Sequence, residues 1–335
     1  MSTIWFLVLA AMLTAYAVLD GFDLGVGALL PWVCKNEDER AAARESIGPV
    51  WNGNEVWLLA AGGAMFVAFP RLYAASFSGF YLALMLVLWL LMGRGIGFEF
   101  RHAHKHPLWT GFWDTVFSGS SLLLALLFGV AIGNVLRGVP FDAQGEFQGS
   151  FTLMLNPFAL VGGLLSVAML CLHGAAFLAM KTEGPLQHRV RRLSGALWIV
   201  VLLLVFGFVA ASIFVRPGFT DNFGHAPVLL LLPLIVVGAL AAIPLFVRRA
   251  QDTRLFAATS ILIVSLLGSA AAGLFPRLLP ALGIHPADDL TIFNAASDSH
   301  SLVAALVMNL VGMTVVLAYT LSIYKMWSGK VGVKV

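Results

Sequence analysis

Nine apolar stretches follow one another along the chain, at approximately 4–32, 51–70, 72–98, 115–136, 155–180, 193–215, 227–247, 255–280 and 301–326. A helix crossing a hydrocarbon core of about 30 Å needs roughly 20 mostly apolar residues. The pattern therefore predicts an all-α, polytopic membrane protein with nine transmembrane helices. Pro70, Pro157, Pro227 and Pro280 fall at or near the ends of stretches, where proline is tolerated. Pro233 and Pro244 lie inside the seventh, where a kink is expected. The joining segments are short. The longest, near 137–154, 281–300 and 99–114, leave no room for a soluble catalytic or nucleotide-binding module. The chain reads as a single integral membrane domain over 1–335. A division is expected in the 181–192 loop, with a first bundle over 1–180 and a second bundle plus the ninth helix over 181–335. The arrangement expected is two four-helix bundles and one peripheral helix.

Composition agrees with the pattern. Of the 335 residues, 60% are hydrophobic and 11% charged, against about 25% charged in soluble domains. Mean hydropathy is +0.91. The net charge of +3 does not call for nucleic acid, because the placement of Lys and Arg explains it. With the N-terminus outside, all 20 Lys and Arg except Arg71, Arg137, Arg216 and Arg277 fall on the inner side. That asymmetry predicts a periplasmic N-terminus and a cytoplasmic C-terminus. The first stretch lacks a positively charged leader and is too long for a signal sequence, so it is kept as a mature helix. Cys34 and Cys171 form no CxxC pair, which leaves no zinc-ribbon, iron–sulfur or covalent-haem signature.

Ionisable groups inside membrane helices are expensive and need a reason. The first helix carries "VLDGFDLGVG", in which Asp20 and Asp23 share a face. Gly21, Gly25 and Gly27 thin the helix there and admit a close neighbour. Asp20 lies roughly 24 Å down from Ile4 at 1.5 Å per residue, which puts both aspartates in the inner half. The second stretch opens "VWNGNEVW" and needs nearly all its residues to span. Asn52, Asn54 and Glu55 are thereby forced to membrane depth, with Asn52 and Glu55 on one face. Trp51 and Trp57 suit an interface or a protein–protein groove. Asp20, Asp23, Asn52 and Glu55 are expected to converge near the inner side. Two readings stand. In the first, these groups pair with each other or with arginines of the 35–44 loop. In the second, they take and release protons.

Other positions are weaker candidates. His173 is the only histidine deep in a stretch, and a hydrogen-bonded core role outweighs haem ligation. "RHAHKH" (101–106) reads as a solvated, lipid-facing basic segment rather than a metal tract. Glu99 and Arg101 are expected to pair or snorkel. Ser299 or Ser301 is expected to cap the last helix.

The pairing of "YAVLDGFDLGVG" with "GPVWNGNEVWLLAAGGAMFVAFPRLYAASFSGFY" resembles subunit II of the cytochrome bd quinol oxidases. "GFEFR", "GNVLRGVPF", "LNPFAL" and "LTIFNAASDSHSL" extend the resemblance over almost the whole chain. It implies a complex of a bacterial inner membrane that oxidises quinol, reduces dioxygen to water and builds a proton gradient. It implies that haems b and d lie in a partner subunit I and that this chain binds no haem. It further implies contributions to proton access and oxygen access, a bound quinone in this type of subunit, and a small single-span accessory subunit. Membrane lipids are implied neighbours, and nucleic acid is not.

Carried onto this chain, Asp20, Asp23 and Glu55 match polar motif positions, and Trp57 matches a tryptophan on an oxygen route at the subunit interface. Trp51 is grouped with it. Asn52 departs from the family pattern, which usually has aspartate there, and asparagine cannot ionise. Asn294 is a second such departure. The competing readings are a proton-coupled multi-pass transporter, which should show inverted repeats and broken helices, and a dihaem cytochrome b, which needs paired histidines. If Glu55 has taken over from the missing acid at position 52, Glu55→Gln is expected to slow quinol oxidase turnover more than Asn52→Ala. Equal, small effects in steady-state oxygen consumption would contradict this.

Overall fold

The computed structural model describes residues 1–142, 147–282 and 289–331. Lys334, and parts of the 137–154 and 281–300 loops, lie outside them. Helix α1 runs Ser2–Val33. A short helix α2, Glu37–Ile47, follows in what was expected to be plain loop. Asn36 caps it, accepting from Glu39 N at 2.9 Å, and its acidic first turn suits the positive end of the helix dipole. Helix α3 covers Trp51–Ala68. The predicted third span divides at Phe80 into α4, Pro70–Gly79, and α5, Tyr81–Phe100. Helix α6, Pro107–Arg137, begins earlier than the predicted residue 115, because Pro107 and the His106 cap start it there. After the single turn α7, Phe151–Met154, comes α8, Pro157–Lys181, capped by Asn156. Helices α9 (Gly184–Val215), α10 (Asp221–His225), α11 (Leu231–Arg248) and α12 (Asp252–Leu274) complete the second half.

The eighth predicted stretch ends early. Pro276 cannot continue a helix, and Arg277–Leu279 forms β1, which pairs antiparallel with β2, Leu290–Thr291. Of the two prolines in α11, only Pro244 lies in the interior. Pro233 falls in the first turn, where a missing N–H removes no helical bond. Helix α13, Ser299–Met326, is capped by Asp298 rather than by Ser299 or Ser301. Asp298 Oδ1 accepts from His300 N and Ser301 N, both at 3.0 Å, and Ser301 supplies its hydroxyl to the cap at 2.5 Å. Those bonds from Ser301 hold the Asp298 carboxyl below its ordinary range.

Among the described residues, eight helices are long and apolar enough to cross a membrane. Helix α3, the expected second span, is not one of them, because Asn52, Asn54 and Glu55 fill its first turns. It is nonetheless packed between α1 and α13. Helices α1 and α8 are central: α1 packs on α3, α6, α8 and α12, and α8 packs on α6, α9 and α12. Helix α5 lies on α6, and α11 lies on α12 and α9. Helix α13 is mostly exposed, with Leu302 and Ala305 buried near its start.

Glycine sets how close α1 and α8 come. A Cβ on Gly25 would sit 1.9 Å from the Leu170 carbonyl oxygen and 2.9 Å from Gly174 N. A Cβ on Gly174 would sit 2.5 Å from the carbonyl carbon of Gly25. Backbone touches backbone, so no side chain can yield. Gly25→Val or Gly174→Val is expected to force these helices apart, at the upper end of the roughly 1–3 kcal/mol typical of overpacking. The check is the thermal midpoint of the purified protein. A midpoint equal to wild type would show that the contact is not tight.

Candidate functional site

Arg94 organises the polar residues of the first half. It lies on α5 between Gly93 and Gly95 and is 1% exposed. Its guanidinium grips Asp20 of α1 through two bonds, Nη1 to Oδ2 at 2.8 Å and Nη2 to Oδ1 at 2.5 Å. Fork-to-fork pairing of this kind is the strong form of an Arg–carboxylate bond. Asp20 is fully buried. Nη2 also lies 3.0 Å from Glu55 Oε1 of α3. That contact is an ion pair without hydrogen-bond alignment. Glu55 differs from Asp20 in access, its side chain being 27% exposed. Trp51 covers the group, with the Arg94 guanidinium 5.8 Å from its ring centroid and Phe98 5.3 Å away on another side.

A second branch lies beside the first. Asn54 is 1% exposed. Its Nδ2 donates to Asp23 Oδ2 at 2.7 Å and to the Leu19 carbonyl at 3.0 Å. Its Oδ1 accepts from the Tyr324 hydroxyl of α13 at 3.1 Å. Asp23 is 2% exposed, and its Oδ1 is buried without a hydrogen-bond partner among the described residues. Asp23 lies on the face of α1 turned to α3, opposite the Gly21 and Gly25 face that packs on α8.

The structure thus brings Asp20, Asp23 and Glu55 together. It does not bring in Asn52, whose side chain is exposed on the outer face of α3. Trp51 and Trp57 are both buried within the chain, at 8% and 6% exposure, and Trp57 Nε1 has no hydrogen-bond partner among the described residues. The arginines of the 35–44 loop do not serve the aspartates. Arg44 pairs with Asp114 of α6, as does Arg40 at 3.5 Å. Arg101 joins them, donating to Asp114 from Nε at 2.8 Å and pairing with Glu37. Its expected partner Glu99 is not used, because the early start of α6 brings Asp114 closer. Sequence reasoning also missed Arg94, which it counted as a loop cation. The signal was present: an arginine inside an apolar stretch demands a buried counter-charge.

His173 is fully buried, and both ring nitrogens are engaged, Nδ1 with Thr259 Oγ1 at 2.8 Å and Nε2 with the Val18 carbonyl at 3.0 Å. Asn294 bonds locally, accepting from Thr291 N and donating to the Asp289 carbonyl, both at 2.8 Å.

Residues 1–327 match the family model for cytochrome bd terminal oxidase subunit II. The chain belongs to that family. A probable cytochrome oxidase subunit 2 of Haemophilus influenzae is 35% identical, over 98% of this chain and 94% of its own. The cytochrome bd ubiquinol oxidase subunit 2 of Bacillus subtilis is 36% identical, over 89% and 87%. The cytochrome bd-I ubiquinol oxidase subunit 2 of Escherichia coli is 32% identical, over 98% and 94%. A chain of the bd oxidase structure from Geobacillus thermodenitrificans superposes with a TM-score of 0.79 at 17% identity, covering 97% of this chain and 98% of that one. The fold is therefore the helical fold of that oxidase. The protein is a subunit of a quinol oxidase complex of a bacterial inner membrane, and the transporter reading has no support.

The family implies haem in the complex. The buried residues described for this chain do not fit it. His173 is the one buried histidine among the described residues, and it has no ring nitrogen left to bind iron.

Proposed function

We propose that this chain is the non-haem subunit of the oxidase, docked on a haem-bearing subunit I, and that it contributes to proton access from the cytoplasmic side. The complex would oxidise quinol and pass the electrons to dioxygen. Quinol protons would leave outside and protons for water would enter from inside, which gives the gradient. A small accessory subunit and a bound quinone are further partners that membership of the family suggests.

Helix α3 is read as a ninth crossing. Its 18 residues reach about 27 Å at 1.5 Å per residue. The exposed Asn52 and partly exposed Glu55 would be costly against lipid, which supports a protein partner on that face. With the N-terminus outside, the polar cluster and the Asp114 cluster both fall toward the cytoplasm.

The observation that carries the proton reading is the unequal treatment of the carboxylates. Asp20 is saturated by two bonds from Arg94 and acts as the anchor. Glu55 shares the same guanidinium through one unaligned contact and retains access to the surface. Asp23 keeps one buried oxygen free. A proton arriving at the cytoplasmic end has Glu55 as its first acceptor and Asp23 as a second, and Arg94 holds the field between them.

The test is spectroscopic and begins with purification. The chain is expected to co-purify with a partner whose haem absorption dominates the spectrum, and to show no haem absorption when isolated alone. Deletion is expected to abolish quinol-dependent oxygen uptake. A haem spectrum from the chain alone, or full turnover without it, would contradict the proposal.

A further inference from the structure

Helix α13 packs on little, yet one of its side chains reaches the polar cluster. Tyr324 donates its hydroxyl to Asn54 Oδ1 at 3.1 Å. The orientation of the Asn54 amide follows from its neighbours. Asp23 Oδ2 at 2.7 Å and the Leu19 carbonyl at 3.0 Å are both acceptors, so the amide must turn its NH2 toward them. Its oxygen then faces Tyr324, and the tyrosine hydroxyl is the donor that satisfies it. A flipped amide would set its oxygen against two acceptors and leave Tyr324 facing an NH2 group.

Helix α13 is held where this works. At its start, Trp5 Nε1 donates to the Leu302 carbonyl at 3.0 Å. Near its end, Tyr319 lies against Gly53, where an added Cβ would be 3.0 Å from the ring. Beyond it, Lys181 of α8 bonds the carbonyls of Trp327 and Gly329. The groups around Asp23 are Asp20 on α1, Glu55 on α3, Arg94 on α5 and Tyr324 on α13. From α8, His173 meets the same helix at the Val18 carbonyl.

We propose that Tyr324 is a positioning residue for proton handling at Asp23: its hydroxyl locks the Asn54 amide so that Asn54 donates to Asp23 Oδ2 and leaves Oδ1 as the oxygen that takes the proton. The proposal rests on the proton reading above. No bond to Tyr324 itself breaks, and the proton stays on the carboxyl side of the amide. Because Tyr324 belongs to α13, the state of this peripheral helix is transmitted to Asp23 through two hydrogen bonds, Tyr324 to Asn54 and Asn54 to Asp23.

The experiment uses the intact oxidase complex and measures quinol-dependent oxygen uptake against pH. Tyr324→Phe is expected to lower maximal turnover about three- to ten-fold, the worth of one net hydrogen bond, with the KM for quinol unchanged and the pH profile shifted. Asn54→Leu is expected to shift the profile in the same sense. In an Asp23→Asn background, Tyr324→Phe is expected to add nothing. If Asp23→Asn shifts the profile and Tyr324→Phe does not, the role of Tyr324 is overturned. A Tyr324→Phe effect confined to the yield of assembled complex overturns it as well. If Asp23→Asn itself behaves as wild type, the proton reading beneath the proposal fails instead.

Discussion

Arg94 carries a positive charge on a helix that otherwise faces outward: on α5 only Arg94 and Gly97 are buried. Removing a guanidinium from water costs several kcal/mol even after relaxation, and only well-aligned partners offset it. Asp20 meets that demand with two bonds, and Glu55 adds a second negative charge. The pair fixes the rotation of α5 about its axis and its height against α1. It also draws the polar start of α3 inward. The glycine contact with α8 occupies another side of α1, so that α1 meets α8 through Gly25 and meets α5 and α3 through Asp20 and Asp23.

Around this anchor the remaining polar groups are graded. Asp20 is fully satisfied and buried. Asp23 is buried and half satisfied. Glu55 is half satisfied and reachable. A structural ion pair alone would need only the first of these; the other two are the groups on which the proposed proton path rests. At the α2 end a separate cluster, Asp114 with Arg40, Arg44 and Arg101, ties the loop helix to α6, while the Arg44 guanidinium lies 4.7 Å from the Phe117 ring centroid. The 35–44 arginines are thereby kept away from the aspartates. The two clusters have distinct work: one closes the bundle end and the other lines a buried polar site.

Much of this was legible in the chain. Long apolar runs end where prolines and polar caps occur, so most helix ends fell within a few residues. Helices α6 and α9, however, begin at Pro107 and Gly184, well before the expected 115 and 193, and α12 ends at Leu274, short of the expected 280. The motif "VLDGFDLGVG" showed both the aspartates and the glycines that let a neighbour approach. What remained hidden depended on contacts distant in sequence. Arg94 looked like a loop cation because its counter-charge lies 74 positions away. Asn54 and Asn52 are equivalent by composition, and only helical rotation separates the buried one from the exposed one. Tyr324 lies 270 positions from Asn54, and no local pattern announces it. The split at Phe80, the helix α2 and the turn into β1 are local events that a hydropathy pattern averages away.

The buried Asp20–Arg94 pair holds the site together. This is tested most directly by the thermal midpoint of the purified complex in three variants: Asp20→Leu, Arg94→Met and both together. Asp20→Leu leaves Arg94 only its unaligned contact with Glu55, and Arg94→Met leaves Asp20 unpaired; each is expected to cost about 3–5 kcal/mol, seen as a clear drop in midpoint. The double change removes both charges and is expected to recover most of that loss. Single variants that melt like wild type would contradict the account.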